Sequence, residues 1–169
     1  MTEIFKPIEG YENYSVSTTG KVLNNETGKF LEGTLDSKGH LQVKLYKDRK
    51  GTLMYKHRLV AIAFIPNPEN KPCVDHVNGN KLNNSLENLR WATFQENARN
   101  IGVSRANECK VKGVRWYKST SKWCARIMIN GVAEHLGYFD KIEDAILARQ
   151  RRANEAFGVF VNDCEVLKC

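Results

Sequence analysis

The chemistry-bearing residues of this chain lie between positions 73 and 100. Asp75 stands directly before His76, and an asparagine-rich stretch follows through Asn78, Asn80, Asn83, Asn84, Asn88 and Asn97. An aspartate carboxylate is a hard oxygen donor of the kind a divalent cation such as Mg²⁺ prefers. An imidazole next to it suits proton abstraction near neutral pH. Asn97, a few residues further on, offers a second, neutral oxygen. A cation, a base and a turn-rich scaffold together suffice for metal-assisted phosphodiester hydrolysis. Asn83 and Asn84 read as turn formers, since Asn hydrogen-bonds its own backbone.

Three elements must position these groups. Leu59, Val60, Ala63 and Phe64 fall on one face of a helix beginning near His57, and Pro66 and Pro68 end it. Residues 73–77 read as a strand that runs into an Asn78-Gly79 turn. Thr93 with Glu96 three residues later forms a capping box, so a second helix begins after Thr93 and ends before Gly102. Upstream, short runs separated by glycine turns, with Leu41–Tyr46 alternating apolar and polar, predict a small antiparallel β unit. Downstream come three strand-like runs, 112–117, 123–129 and 133–139, with Asn130-Gly131 as the turn between the last two. Asp140 is then expected to cap a helix whose apolar stripe includes Ile142, Ala145, Ile146, Ala153 and Phe157, with Gly158 stopping it.

The chain has 169 residues, 26 Lys+Arg against 19 Asp+Glu, a net charge of +7 and a sequence pI near 9.2. That balance suits a polyanionic partner. Residues 108–139 hold six basic and two acidic side chains, against five and six in 140–169. The skew favours one basic face over a uniformly basic surface. An odd cysteine count of 5 with no Cys-x-x-Cys pair argues against a disulfide framework or a cysteine zinc site and for a reducing compartment. The cysteines are expected to be passive, with Cys73 and Cys124 buried. No apolar run approaches a membrane span, and no basic-then-apolar leader opens the chain. The expectation is a soluble, cytoplasmic protein with no membrane association. Trp91, Trp116 and Trp123 are expected in the core, and His40 and His57 in structural or surface roles.

Val74-Asp-His-x-Asn-Gly-Asn-x-x-Asn-Asn-x-x-x-Asn-Leu-Arg-Trp91 resembles the HNH nuclease motif of phage and intron homing endonucleases, and His57-Arg-Leu-Val-Ala-x-Ala-Phe-Ile-Pro66 resembles its usual lead-in. Ile8-Glu-Gly-Tyr-Glu-x-Tyr-x-Val-Ser-x-x-Gly-x-Val22 resembles the small DNA-binding element at the start of these nucleases, with Phe5 where Trp is frequent. Lys112–Tyr117, Lys122–Ile127, His135–Phe139, Glu143–Ala145 and Ala156–Gly158 together resemble the DNA-binding domain of plant ethylene-response factors.

The resemblance implies roles. Asp75 is the first metal ligand and Asn97 the second, at the position of the motif's last His. His76 is the general base, and Asn88 holds the His-bearing hairpin and orients His76. Arg90 either neutralises the scissile phosphate or supports the fold. The cofactor is one divalent ion, Mg²⁺ with Mn²⁺ as alternative, and no small-molecule cofactor. Lys112, Arg115, Lys122, Arg126, His135 and Arg149 match DNA-contacting positions, although Arg149 stands where Tyr is common. The Arg149–Arg152 run equally suits a solvated helix face. By strand parity Tyr117 shares a face with Arg115, Lys118 belongs to the same basic run, and Arg126 lies beside Arg115. In the N-terminal unit Lys44 and Tyr46 share a strand face that suits flanking duplex.

The expected architecture is α+β. A DNA-binding β element (residues 1–52) is followed by a ββα-metal nuclease module (53–101) and a linker (102–110). A three-stranded antiparallel sheet packed on one helix (111–162) and a tail (163–169) complete it. The expected activity is that of a site-specific, metal-dependent endonuclease of the homing type. It acts on double-stranded DNA as a monomer and nicks one strand per active site, in the bacterial host cytoplasm if the gene is phage-encoded. Two other readings use the same basic surfaces. Against a DNA-binding regulator with a silent nuclease stands the joint presence of Asp75, His76, Asn88 and Asn97. Against an RNA-binding protein stands the lack of an RRM or KH signature.

Overall fold

The computed structural model describes residues 2–100 and 111–160, with the side chain of Val159 excepted. The expected linker (102–110) and tail (163–169), with Cys109, Cys164 and Cys169, lie outside the described residues. Contacts divide the chain after Thr93 into two units. Both are built from short antiparallel sheets and few helices, an α+β architecture.

In the first unit, β1 (Phe5–Ile8), β2 (Tyr11–Ser17) and β3 (Val22–Asn24) form one sheet in that order. A second sheet holds β4 (Thr34–Leu35), β5 (Leu41–Lys47) and β6 (Lys50–Tyr55). The period-two pattern of β5 does what the sequence asks of it. Val43 and Leu45 are buried while Lys44 and Tyr46 face outward. β5 and β6 meet at Lys47 opposite Lys50, across a two-residue turn in which Asp48 and Arg49 both have positive φ.

Helix α1 (Lys56–Phe64) follows directly, buries Leu59, Val60 and Ala61, and ends at Ile65 just before Pro66. The hairpin of β7 (Cys73–His76) and β8 (Leu89–Ala92) completes the unit. One core runs through all of it: Val16 and Val22 from β2 and β3, Val43 and Leu45 from β5, Leu59 and Val60 from α1, Val74 and Leu89 from the hairpin. Each fully buried Val or Leu contributes about 1.5–3 kcal/mol, and these contributions hold the β unit and the hairpin as a single body. The boundary expected at 52/53 falls inside β6. Polar ties reinforce the join. Trp91 Nε1 donates to the Ile65 carbonyl (2.9 Å) and an Arg58 guanidinium N–H to the Pro72 carbonyl (2.9 Å).

In the second unit, α2 (Phe94–Arg99) precedes a sheet of order β11-β10-β9, made by β9 (Val114–Tyr117), β10 (Lys122–Ile129) and β11 (Val132–Phe139). Ile129 pairs with Val132 across Asn130 and Gly131, whose φ values of 51° and 82° are those of the tight hairpin turn the sequence predicts. Helix α3 (Ile142–Phe157) packs on the sheet through Ala145 and Ala153, both fully buried, against Val114, Ala125 and Ile127. Small residues there let helix and sheet approach closely. Gly158 ends the helix at φ 52°, its N–H returning to the Asn154 carbonyl.

Trp116, expected in the core, is 45% exposed, and two further details also depart from expectation. Lys141, not Asp140, occupies the N-cap and makes no capping hydrogen bond, since an ammonium has no acceptor, and the Asp140 carboxylate one residue earlier is paired with Lys122 Nζ at 3.2 Å. Cys124 is buried, but Cys73 is only half-buried. No helix among the described residues is long and apolar enough to cross a membrane.

Candidate active site

Asp75 and His76 close β7, and the register sets Asp75 opposite Arg90 and His76 opposite Leu89. Asp75 is 4% exposed. Its Oδ2 accepts Arg90 Nε at 2.8 Å, with a terminal guanidinium nitrogen 2.7 Å away. A buried carboxylate needs such a counter-charge. Arg90 thus stands side by side with Asp75 across the hairpin.

The loop from Val77 to Asn88 is organised by asparagine amides. Asn88 Oδ1 accepts the Asn78 backbone N–H (3.0 Å), its Nδ2 donates to the Asn83 carbonyl (2.7 Å), and its own carbonyl accepts the Val77 N–H (2.8 Å). Asn88 therefore joins the two ends of the loop. Asn78, Asn80 and Asn83 each accept a backbone N–H two residues ahead, the local turn chemistry for which the side chain is suited. Asn84 differs. It is buried, and its Oδ1 lies 3.1 Å from His76 Nε2.

His76 sits among imidazoles. Its ring centroid lies 5.1 Å from that of His57 and 6.1 Å from that of His40, and the latter two are 5.2 Å apart. Three of the chain's four histidines thus meet, one each from the strand ends of β5 and β7 and the first turn of α1. Burial pushes all three below the ordinary imidazole range. His57 is taken furthest, to about 3, by burial first and then by His76 and His40. For His76, burial outweighs the opposing hydrogen bond from Asn84 and the charge of Asp75. For His40, burial outweighs the Asp36 carboxylate, which lies 3.5 Å away. Backbone N–H donation from His40, assisted by Lys38 and the Tyr55 hydroxyl, holds Asp36 at about 2. At neutral pH His76 is uncharged, the state in which an imidazole accepts a proton.

Sequence reasoning placed Asp75, His76, Asn88 and Arg90 together, and the hairpin brings them together. It read Asn84 as a turn former and His40 and His57 as structural or surface residues, yet all three border His76. No spacing signals this, because the contacts span up to 36 residues. Asn97 lies half-buried on α2, in the second unit.

The residues expected to face DNA sort into three groups. In the first unit Lys44 and Tyr46 are exposed neighbours, Lys44 Nζ 5.5 Å from the Tyr46 ring centre. In the second unit Arg115, Tyr117, Arg126 and His135 share an open sheet face with Tyr138. The Arg115 guanidinium covers the Tyr117 ring (4.6 Å) and bonds its hydroxyl (2.7 Å), Tyr117 meets Tyr138, Tyr138 meets His135, and His135 pairs across the strands with Arg126. Lys118 is exposed in the β9–β10 turn, and Lys122 is tied to Asp140. Lys112 Nζ donates to the Arg99 carbonyl at the end of α2. Arg149 is a correction: at 4% exposure it belongs neither to a DNA-facing surface nor to a solvated helix face. Its side chain extends from α3 to Gly113, where a Cβ would come 2.7 Å from its Nε.

Comparison with known proteins agrees with this site. The HNH endonuclease family profile matches residues 54–99, which hold α1, the hairpin and α2, and the NUMOD4 motif matches residues 3–46. The DNA endonuclease I-HmuI of Bacillus phage SP01 is 40% identical over 116 residues, covering 64% of this chain and 67% of that protein. The H-N-H endonuclease F-TflII of Escherichia phage T5 is 35% identical over 129 residues, 72% of this chain and 66% of that protein. An uncharacterised HNH endonuclease of Acanthamoeba polyphaga mimivirus, L247, is 46% identical over 101 residues but this match spans only 25% of its length. A solved structure concerned with DNA binding and cleavage by the HNH homing endonuclease I-HmuI superposes with a TM-score of 0.55 at 32% identity, over 92% of this chain and 83% of that one. With the hairpin, its Asp-His pair and these relationships in hand, the chain is a nuclease and belongs to the HNH endonuclease family.

Proposed function

We propose that the protein is a site-specific, metal-dependent endonuclease of the homing type that hydrolyses phosphodiester bonds in double-stranded DNA. The observation that carries this reading is the placement of buried His76 at the end of β7, adjacent in sequence to the buried carboxylate of Asp75 and hydrogen-bonded to Asn84.

His76 takes the proton from the attacking water. Asp75 and Asn97 are the residues assigned to hold the cation, Mg²⁺ or Mn²⁺. Their donors are a carboxylate and an amide, the hard oxygens such ions prefer. Among the described residues no three or more His, Cys, Asp or Glu converge in metal-binding geometry. When bound, the ion stabilises the charge developing on the phosphate and the departing 3′ oxygen. Arg90 acts by holding Asp75, and Asn88 by holding the loop that follows His76.

Double-stranded DNA is engaged by Lys44 and Tyr46 in the N-terminal unit. In the C-terminal sheet it is engaged by Arg115, Tyr117, Lys118, Lys122, Arg126 and His135, with Lys112 nearby. The exposed sheet face, with the Arg115 guanidinium over the Tyr117 ring, suits a major groove in which Arg reads guanine and phosphate contacts supply most of the affinity. One active site per monomer nicks one strand.

The test is conversion of supercoiled DNA bearing phage or host sequence to nicked circle, with Mg²⁺, with EDTA, and with His76→Ala. Metal-dependent nicking lost in the variant supports the reading. Tight, salt-sensitive binding with no cleavage in Mg²⁺ or Mn²⁺ overturns it in favour of a DNA-binding regulator.

A further inference from the structure

Asn84 is 4% exposed and both ends of its amide are engaged. Nδ2 donates to the Leu82 carbonyl at 3.2 Å, and Oδ1 faces His76 Nε2 at 3.1 Å. A carbonyl oxygen only accepts, so Leu82 fixes which way the amide points. Oδ1 is therefore the atom presented to the histidine, and Nε2 must carry the proton. The imidazole lone pair then resides on Nδ1. The hydrogen bond selects a tautomer as well as an orientation.

What seats Asn84 comes from far upstream. The Ser17–Gly20 turn of the N-terminal β unit lies against it. Gly20 has φ +84°, and a Cβ at this position would sit 2.8 Å from Asn84 Cβ and 2.9 Å from the Asn84 carbonyl oxygen. Two residues on, the Leu86 N–H donates to the Thr18 carbonyl at 2.8 Å. The turn is itself rigid, since buried Ser17 Oγ accepts the backbone N–H of Thr19 and of Lys21. A second upstream turn also grips the loop, Lys81 Nζ donating to the Lys38 carbonyl at 2.8 Å.

We propose that Asn84 is the positioning residue of His76, fixing the Nε2–H tautomer so that Nδ1 accepts the water proton, and that the Gly20 turn holds Asn84 in place. This rests on His76 being the general base. It gives the N-terminal unit a role beyond holding DNA: its turn sets the chemistry of the nuclease hairpin.

The test uses the full chain labelled with ¹⁵N-histidine, without DNA or metal, in long-range imidazole correlation spectra at mildly alkaline pH. Wild type is expected to show His76 protonated at Nε2. An Nδ1–H tautomer in wild type overturns the proposal whether or not the protein cuts DNA. Kinetics supply the second arm. Asn84→Leu and Gly20→Ala are expected to mix the His76 tautomers and lower kcat by about 100-fold, the scale of a misplaced catalytic group, while KM for DNA stays near wild type. Asn84→Asp keeps the acceptor for Nε2 but loses the donor to Leu82, and is expected to retain the Nε2–H signal with a kcat between those of wild type and Asn84→Leu. A kcat unchanged in folded Asn84→Leu, or kcat and KM altered together with the tautomer intact, also overturns it. If His76→Ala cleaves as wild type does, the general-base reading fails, and the spectra still decide whether Asn84 fixes the tautomer.

Discussion

Lowering the pH from about 7.5 to about 5 is expected to destabilise the first unit through His57, by an amount the burial of that ring sets. His57 is 7% exposed, and its Nδ1 has no hydrogen-bond partner among the described residues. Its folded pKa is near 3 against 6.5 for an ordinary imidazole. Between those values the unfolded chain binds a proton that the folded one refuses. The stability this group contributes is therefore complete above 6.5 and is lost as the pH falls toward 3. Each pH unit within that window is worth about 1.4 kcal/mol, so about 2 kcal/mol is gone at pH 5. His76 and His40, shifted in the same direction, add to the loss.

The assay is urea unfolding of protein carrying 5-fluorotryptophan, read at the ¹⁹F resonance of Trp91, which packs against the first unit's core. Wild type and His57→Phe are compared at both pH values. The substitution has its own cost at either pH, and the difference in pH dependence removes it. The variant is expected to lose about 2 kcal/mol less than wild type on acidification. Equal pH dependence in the two proteins, or a His57 resonance titrating near 6.5 in the native state, would refute the reasoning.

Other outcomes follow from single contacts. Arg90→Leu leaves the buried Asp75 carboxylate without its guanidinium and is expected to cost about 3 kcal/mol in the same unfolding assay, with part recovered in the Asp75→Asn/Arg90→Leu double variant. Arg126→Ala is expected to reduce the slope of log affinity for DNA against log salt by about one. Arg149→Gln, at a buried position, is expected to leave that slope unchanged. Gly131→Val forces a branched residue to the φ of 82° at the β10–β11 turn. It is expected to cost about 1–2 kcal/mol, seen as faster amide exchange in β10.

Much of this protein was legible along the chain. Alternation announced β5, the break from period two to a helical stripe announced α1, and Asn130-Gly131 announced the last hairpin, because these patterns are local consequences of backbone geometry. The Asp75-His76 pair was legible for the same reason, as adjacent residues of informative types. Capping was less so. Asp140 is a good N-cap by type, but the helix starts one residue later than expected, with Lys141 at the cap. Arg149 was expected on a DNA-facing or solvated face from resemblance and charge, and neither says which face of a helix a sheet will cover. The surroundings of His76 were not readable at all. Its neighbours His40, His57 and Asn84 arrive from a strand end, a helix start and a loop, and the turn that seats Asn84 lies more than sixty residues upstream. Sequence by itself determined which groups could do chemistry and which elements would carry them. Only the tertiary structure decided how those groups are oriented, paired and enclosed, since burial and long-range hydrogen bonds exist only once separate segments share one core.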